Sequence, residues 1–401
     1  MEQLLTMSKK ELRRLKILEQ IKEKKLTVKE GTESLAISER QIYRLVKRYR
    51  EEGDKGLLHR SRGKPSNRGY PEDLKEKVIK IYRKSYKDFG PTLFTEKLEE
   101  REKIKLDHET VRRWLRAKGE ITSTRRSKGH RKKRERKSSI GAMLQFDGSH
   151  HDWFEGRGDV CCLLVAIDDA SSKVFLRFAK SENTLDVLKT LREYVERNGI
   201  PHSTYTDRYG VYYAEKEKTD FQKAMEKLSV RCIYANSPQA KGRVERGNRT
   251  LQDRLVKEMR LMGISDIDEA NKFLKSSFIE DYNKRFSHTK GLPDIHLELN
   301  GENLDNVFCF ETKRQVRNDY TISLSGNYIQ LEKSEIPLPI PKQYVIVRKY
   351  LDGSLHIFNN DNQTLVFTKL RSKPKGIIKV TRKAPSNHPW RKIKFGKAIY
   401  V

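Results

Sequence analysis

Three acidic residues stand where a folded chain could bring their side chains together, namely Asp147, Asp207 and Glu245. Asp147 follows a predicted first strand, Asp207 follows a predicted fourth strand, and Glu245 lies on the first turn of a long predicted helix. Phosphodiester chemistry needs charge neutralised on both the attacking and the leaving oxygen, and two divalent ions roughly 3.5–4 Å apart do this. Carboxylate ligands and retained waters favour Mg²⁺, with Mn²⁺ able to substitute. The three acids therefore predict a site for two metal ions.

The elements that must position these acids follow from hydrophobic periodicity. Alternating runs at 143–146, 160–167 and 173–178 predict three antiparallel strands. A helix from 184, a strand at 203–206, a weakly marked helix at 219–228, a strand around 233–234 and a long helix from about 241 come next. On the long helix the apolar stripe is Val244, Leu251, Leu255 and Met259, and the opposite face carries Glu245, Asn248, Arg249 and Gln252. This order is typical of an α/β domain.

The charge of the chain is strongly positive and unevenly placed. The 401 residues contain 85 Lys and Arg against 55 Asp and Glu, a formal charge of +30, of which residues 1–139 carry +20, residues 140–290 carry +2 and residues 291–401 carry +8. Basic flanks suit a polyanion such as nucleic acid, and a nearly neutral middle suits an acidic metal site. A basic nucleoid or ribosomal protein would spread the excess more evenly.

Hydropathy excludes several classes of protein. The mean hydropathy is −0.82, and there is no run of about 18 apolar residues, so we expect no membrane-spanning helix. The charged N-terminus does not look like a secretory signal, and a cytoplasmic, nucleoid-associated bacterial protein is expected. The four isolated cysteines do not have zinc-finger spacing, so they are interpreted as buried free thiols rather than a zinc site.

The N-terminal third predicts two all-α helix-turn-helix units, at 1–55 and 71–120. Capping-box patterns at Thr27–Glu30 and Ser38–Gln41 predict helices from about 28 and 39. A small helical bundle with a solvated basic face is the alternative. The cations proposed to contact DNA are Arg40, Arg44, Lys47 and Arg48 on the third helix of the first unit, and Arg112, Arg113 and Arg116 on the last helix of the second.

Two basic linkers are predicted, at 56–70 and 121–139. Arg62 and Lys64 in the first could enter an A·T-rich minor groove, although a plain flexible linker explains the segment nearly as well. The second places nine Lys or Arg at 125–137, a block too charged to fold alone. At the other end, alternating runs within 300–372 predict a small β-barrel, followed by a basic tail at 373–401.

The run Pro238-Gln239-Ala240-Lys241-Gly242-Arg243-Val244-Glu245-Arg246-Gly247-Asn248 resembles the signature around the catalytic glutamate of retroviral-type integrases and DDE transposases. Gln145–Ser149 resembles the first-aspartate strand of that family, and Thr206–Gly210 its second-aspartate segment, 38 positions before Glu245. The tandem helical units are similar to those of ISNCY-type bacterial insertion-sequence transposases. The resemblance implies an RNase H-like catalytic core over 140–292, with metal-binding roles for Asp147, Asp207 and Glu245. Further DNA contacts are expected from Lys241, Arg243, Arg246 and Arg249.

Two departures from the family pattern are visible. Arg208 follows the second aspartate, where Asn is common, and the zinc-binding His/His/Cys/Cys module of retroviral integrases is missing. Asp152, Asp168 and Asp169 are rival acids, and turn chemistry explains the last two.

The function expected is a DDE transposase that binds terminal inverted repeats, cuts at the ends of its element and joins the 3′-hydroxyl to target DNA. Because two ends must meet in one event, a homodimer or larger homo-oligomer on double-stranded DNA is expected, with no membrane partner. One alternative is a domesticated transposase that has lost catalysis and acts as a sequence-specific DNA-binding regulator. Another is an RNase H-type nuclease, which would cut without joining.

Overall fold

The computed structural model describes residues 6–63, 69–122, 135–235 and 242–370. The chain divides into two compact units, Met1–Arg126 and Ser127–Val401, which are described separately below. Lys64, Lys241, most of the second predicted linker, the 236–241 part of the signature and the tail 373–401 lie outside the described residues. Among the residues that are described, no helix is both long enough and apolar enough to cross a membrane.

The first half of the N-terminal unit is a bundle of three helices. Leu18, Ile42 and Leu45 form its buried centre together with Leu57, which is only 2% exposed. Leu57 belongs to a short 3₁₀ turn, so the residues predicted to begin a linker at 56 complete this core instead. The helices are α1 (Lys9–Lys22), α2 (Val28–Leu35) and α3 (Glu39–Glu52).

A second set of three helices follows in the same unit. Gly90 and Pro91 begin its middle helix, because proline suits the first helical turn, and the Asp107 carboxylate caps the last helix by accepting from two backbone N–H groups. Tyr82 and Phe94 meet edge to face at its centre, with ring centroids 5.0 Å apart. The helices are α4 (Glu72–Ser85), α5 (Pro91–Glu102) and α6 (His108–Ala117).

The helix starts of the first set are as predicted, but one of the two predicted caps is wrong. Thr27 and Glu30 form both hydrogen bonds of a capping box at the start of α2. Ser38 precedes α3 with extended backbone, yet its side chain makes no capping hydrogen bond. A capping box that the sequence patterns did not single out is formed by Ser8 and Glu11 at α1. The sequence pattern therefore predicts where a helix begins more securely than which side chain caps it.

We expect Thr27→Ala to lower the free energy of unfolding of the helical unit by about 1 kcal/mol, because it leaves a backbone N–H at the start of α2 without its acceptor. Ser38→Ala is the matched control, since the Ser38 side chain caps nothing, and its effect should be much smaller. Urea unfolding followed by far-ultraviolet circular dichroism measures both. Equal losses in the two variants would contradict the assignment of the cap.

The centre of the second unit is a five-stranded sheet. Its strands are β1 (Leu144–His151), β2 (Cys161–Asp168), β3 (Val174–Ala179), β4 (Ser203–Thr206) and β5 (Arg231–Tyr234). They lie in the order β3-β2-β1-β4-β5. β1 pairs antiparallel with β2, β2 pairs antiparallel with β3, and β4 is parallel to both β1 and β5. This mixed order is the arrangement expected of an RNase H-like core.

Helices cover both faces of this sheet, as its largely apolar central strands require. One buried cluster joins Leu144 and Phe146 of β1 to α7 (Thr184–Asn198) and α8 (Asp220–Lys227). A second cluster joins Leu163 and Val165 of β2 to helices on the opposite face. Those helices are α9 (Gly242–Met262), α10 (Ile267–Phe273) and α11 (Ile279–Phe286), with a single π turn, Leu274–Phe278, between the last two.

The first strand is longer than its hydrophobic run. The sequence predicts a strand that ends at 146, with Asp147 just after it, whereas β1 continues to His151 and pairs residue by residue with β2 as far as Cys161. The error has a physical reason, because Asp, Gly and Ser are typical of turns and no local signal marks a strand there. Asp147 consequently lies inside β1, on a rigid element.

The C-terminal part of the second unit, described as far as residue 370, contains seven strands and a short helix. They are α12 (Leu304–Val307), β6 (Cys309–Gln315), β7 (Thr321–Leu324), β8 (Asn327–Leu331), β9 (Tyr344–Tyr350), β10 (Leu355–Phe358), β11 (Thr364–Leu365) and β12 (Phe367–Leu370). The strands pair as two sheets, ordered β11-β10-β9-β6 and β12-β8-β7, around one core that includes Val316, Ile329 and Val347. The described strands do not close into a barrel, so the predicted small β-barrel stays a prediction.

These C-terminal strands are attached to the sheet domain by a partly buried charge network. The Glu311 carboxylate accepts hydrogen bonds from Lys227 on α8, at 2.7 Å, and from Arg348 on β9, at 2.9 Å. Arg348 is only 6% exposed, so this pair is poorly screened by solvent. Arg348, one of the basic residues of the C-terminal region, therefore stabilises the fold by pairing with Glu311.

Candidate active site

Asp147 points from β1 toward α9. Side chains alternate along a strand, and Leu144 and Phe146 pack under α7 and α8, so the odd-numbered residues face the other side. There Nδ2 of Asn248 donates to Oδ2 of Asp147 at 3.2 Å, and Nε2 of Gln252 donates to the Ser149 hydroxyl at 3.2 Å. Two amide side chains of α9, one turn apart, thus hold the helix against the strand that carries Asp147.

Asp207 follows β4 directly, at the edge of the sheet where β4 ends. The parallel register pairs Leu144 with Thr204 and Gln145 with Tyr205. Asp147 lies two residues beyond Gln145 on β1, and Asp207 lies two residues beyond Tyr205, just after β4 ends, so both aspartates follow the same end of this strand pairing. The backbone N–H of Tyr209 donates to Oδ1 of Asp207 at 3.0 Å and helps to orient that carboxylate.

Glu245 lies exposed on the first turn of α9. Residues three apart on a helix share a face, and Asn248, three positions on, contacts Asp147. Glu245 is therefore on the helix face that meets the β1 edge. The three predicted acids thus lie on or directly after β1, β4 and α9, and both β4 and α9 contact β1.

The rival acids have other partners. Asp168 accepts from the backbone N–H of Gly141 and from both donors of Ser171, and Asp169, 0% exposed, accepts from Gln145 and ion-pairs with Arg243. These contacts join the β2–β3 turn to neighbouring elements, in agreement with the structural role predicted for both aspartates. Asp152 is exposed and accepts from the Gly156 N–H at 3.1 Å, as a loop residue does.

The oxygen atoms at this edge fit a hard divalent cation. Beside the carboxylates, Oδ1 of Asn248 is buried and makes no hydrogen bond within the described part of the chain. A buried acceptor without a donor costs free energy unless water or an ion satisfies it. The donor set of Asp147, Asp207 and Glu245, with this amide oxygen beside them, thus suits Mg²⁺ with bound water.

Sequence reasoning missed two residues near the site, Glu182 and Tyr212. Glu182, just after β3, accepts a hydrogen bond from the buried hydroxyl of Tyr212 and lies 3.4 Å from Nε2 of His150. Possible ligand atoms of Glu182, His150 and Cys162 all lie within 4.8 Å of one another. The sequence around Glu182 reads only as the start of a helix, because Asn183 caps α7. No local signal pairs it with a tyrosine 30 positions later.

The cations predicted on the first helical set differ in their surroundings. Arg40, Arg44 and Lys47 are exposed on α3. Arg48 is half-buried, and its guanidinium donates to the Leu58 carbonyl at 3.4 Å. Arg62 donates to the Glu11 carboxylate and to a backbone carbonyl, so the structure folds this part of the predicted linker back onto α1.

The remaining predicted cations also divide into exposed and engaged groups. Arg113 and Arg116 are exposed on α6, and Arg112 forms an ion pair with Glu109 at 3.0 Å. Arg246 and Arg249 are exposed on α9. The Arg243 side chain, by contrast, is only 13% exposed and binds the buried Asp169 carboxylate. Arg243 therefore stabilises the fold through this ion pair and is not exposed as Arg246 and Arg249 are.

The fold and the site together define a class of protein, one in which helical DNA-reading domains accompany an integrase-like core with acids at the sheet edge. A helix-turn-helix domain family matches residues 13–66, and a homeodomain-like domain family matches residues 41–115. A putative transposase, y4bF, of Sinorhizobium fredii is 37% identical over 365 residues, covering 88% of this chain and 80% of that protein. The transposase for insertion sequence IS1202 of Streptococcus pneumoniae is 29% identical over 447 residues, covering 97% and 95%. The chain belongs to the transposase family.

Solved structures with similarity to the chain include retroviral integrases. The HTLV-2 integrase catalytic core domain in complex with magnesium covers 34% of this chain at 19% identity, with a TM-score of 0.28 and 83% of that chain matched. An intasome of simian T-cell lymphotropic virus in complex with PP2A regulatory subunit B56 gamma covers 74% at 14% identity, with a TM-score of 0.34 and 100% of that chain matched.

Proposed function

We propose that this transposase binds the terminal inverted repeats of its element, cuts a phosphodiester bond at each end and joins the freed 3′-hydroxyl to target DNA. The observation that carries the proposal is that α9, which bears Glu245, contacts Asp147 on β1 through Asn248, while Asp207 directly follows β4, the parallel neighbour of β1. A protein that only bound DNA would not need three carboxylates at one edge. The transposase relatives support the same assignment.

Each part of the site has a role in this proposal. When bound, two Mg²⁺ ions, or Mn²⁺ in their place, would activate the attacking oxygen and neutralise charge on the leaving oxygen. Asp147, Asp207 and Glu245 would hold them. Asn248 keeps the Asp147 carboxylate in place from α9, and the Tyr209 N–H does the same for Asp207. Because Asp147 stands on a strand, Glu245 on a helix and Asp207 directly after a strand with its carboxylate held by the Tyr209 N–H, little reorganisation is needed before reaction.

DNA recognition is assigned to the two helical units. The exposed cations of α3 and α6 are placed for base and phosphate contacts, with α3 and α6 proposed as recognition helices. Arg246 and Arg249, close to Glu245 on α9, are proposed to contact the strand being cut. Since both ends of an element must be joined in one event, we propose a homodimer or larger homo-oligomer assembled on DNA.

We expect Arg44→Ala to weaken binding to terminal-repeat DNA by about 5- to 150-fold, because a bidentate arginine contact to a base contributes roughly 1–3 kcal/mol. Arg50→Ala is the matched control, since Arg50 is exposed on the same helix but faces a different direction. Electrophoretic mobility shift at two salt concentrations measures both variants. Equal losses for Arg44 and Arg50 would show that α3 contributes only general charge.

The test of the function uses the full chain, end-labelled terminal-repeat duplex, a target plasmid and Mg²⁺. The proposal predicts binding, cutting at the element end and a joined product, with cutting and joining lost in EDTA and restored by Mg²⁺ or Mn²⁺. Binding without cutting would favour the domesticated regulator, and cutting without joining would favour an RNase H-type nuclease. Either outcome would overturn the proposal.

A further inference from the structure

The carboxylate of Glu182 is enclosed near the proposed metal site, although the proposed reaction does not use it. Its side chain is 11% exposed, and Oε1 accepts a hydrogen bond from the Tyr212 hydroxyl at 2.5 Å. Oε2 lies 3.4 Å from Nε2 of His150. A largely buried carboxylate is costly unless it is hydrogen-bonded in this way, so its position indicates a specific role in the fold or the site.

Glu182 also lies directly against the strand that carries Asp147. A Cβ atom added at Gly148 would stand 2.3 Å from Oε2 of Glu182 and 2.4 Å from its carboxyl carbon. Such distances are far below contact, so a side chain at position 148 would displace the Glu182 carboxylate from its present place against β1. Gly148 is the residue after Asp147, on the opposite face of β1.

Tyr212 connects the same carboxylate to the segment that carries Asp207. Its backbone N–H donates to the Tyr209 carbonyl at 2.8 Å, and the Tyr209 N–H donates to Asp207. The Tyr212 ring is 0% exposed and packs edge to face against Phe146 and Phe221. Burial above all, and then the charges of Glu182, Asp147 and Asp207, raise the pKa of the Tyr212 hydroxyl well above its usual range. The hydroxyl therefore remains a hydrogen-bond donor at neutral pH.

We propose that Glu182 is a positioning residue for the metal site, joining the Asp207 turn through Tyr212 to β1 at Gly148. The inference rests on the proposed function, because it assumes that Asp147 and Asp207 hold the metal. Glu182 would act through these contacts rather than as a ligand. Loss of the hydrogen bond would let the Asp207 turn move relative to β1 and would weaken the metal site while leaving the fold intact.

The test measures Mn²⁺ binding to the full chain by calorimetry, together with the Mg²⁺ concentration that gives half-maximal cutting. Changes to residues that support metal ligands typically weaken metal affinity by about 10- to 100-fold. We expect losses of that size for Tyr212→Phe and Glu182→Ala, with DNA cutting largely restored by excess metal. Glu182→Gln should stay within about threefold of the wild type, because its amide oxygen still accepts from Tyr212 and its amide nitrogen can donate to His150.

Control variants distinguish the positioning role of Glu182 from the metal-binding role proposed for Asp207. Tyr213→Phe, at the neighbouring partly exposed ring, should leave Mn²⁺ affinity unchanged, and melting temperatures report whether each variant is folded. If Asp207→Asn does not weaken Mn²⁺ binding, the proposed function itself fails. If Asp207→Asn weakens it but Tyr212→Phe does not, only the role of Glu182 fails. A Glu182→Gln loss as large as that of Glu182→Ala would show that the charge, and not the hydrogen bond, matters, and would overturn the positioning role.

Discussion

Asp207→Asn should abolish cutting and joining while leaving terminal-repeat binding at the wild-type level. Asn keeps the size of the side chain and an oxygen for the Tyr209 N–H, but it removes the negative charge that would hold the cation. Metal ions contribute several kcal/mol to the stabilisation of a charged transition state, so the expected loss of rate is about a thousandfold or more. Single-turnover cutting of labelled terminal-repeat DNA measures the loss, and a mobility shift on the same DNA measures binding.

Asp152→Asn is the matched control for this experiment. Asp152 is an exposed acid in the loop after β1, and its Oδ1 accepts a backbone N–H, much as Asp207 does. Its replacement should leave cutting unchanged within about twofold, the range usual for a surface substitution of up to 0.5 kcal/mol. Strand transfer retained by Asp207→Asn, or lost by Asp152→Asn, would remove the basis for the acidic triad.

Arg243→Ala should destabilise the sheet domain by about 3–5 kcal/mol. Asp169 is 0% exposed, and removal of the Arg243 guanidinium leaves a buried carboxylate that keeps its hydrogen bonds from Gln145 and the Lys137 N–H but loses this ion pair. Breaking a buried pair at one partner typically costs this much. Hydrogen–deuterium exchange of β1 and β2 amides in the full chain, measured in increasing urea, reports the change.

Arg246→Ala is the control, because Arg246 is exposed three residues later on the same helix. It should weaken DNA binding and leave exchange in β1 and β2 unchanged. The sequence predicts a DNA contact for both arginines, and the two variants distinguish a structural role of Arg243 from a DNA-binding role of Arg246. If Arg243→Ala weakened DNA binding without faster exchange, the DNA contact predicted for Arg243 would stand and its structural role would be wrong.

Much of the architecture was predictable because its signals are local. The starts of α2, α3, α5 and α6 coincide with cap residues or proline, and a cap acts within three or four residues of itself. β4 spans the predicted residues 203–206, and α9 buries its predicted apolar stripe. The resemblance to insertion-sequence transposases, stated from the residues around Glu245, is confirmed by the transposase relatives.

The details of the site were less predictable, because each depends on a partner far along the chain. The sequence pattern places Asn248 on the face opposite the apolar stripe of its helix, yet Asn248 is 9% exposed and contacts Asp147, 101 positions earlier. Arg243 was grouped with the DNA contacts, yet its partner Asp169 lies 74 positions away. Periodicity indicates which face of an element is apolar, but it does not indicate which polar side chain meets which.

The sequence alone determined the order of the elements, the three candidate acids, the uneven charge and the family. These depend on residue type and on spacing within a few helical turns, so the signals that reveal them are local in the sequence. Only the tertiary structure decided that β1 runs on past Asp147, that Asp168 and Asp169 support the fold, and that Glu182 and Tyr212 join the two aspartate-bearing segments. Those outcomes depend on strand register and on burial, which arise when distant segments pack together and which no local pattern contains.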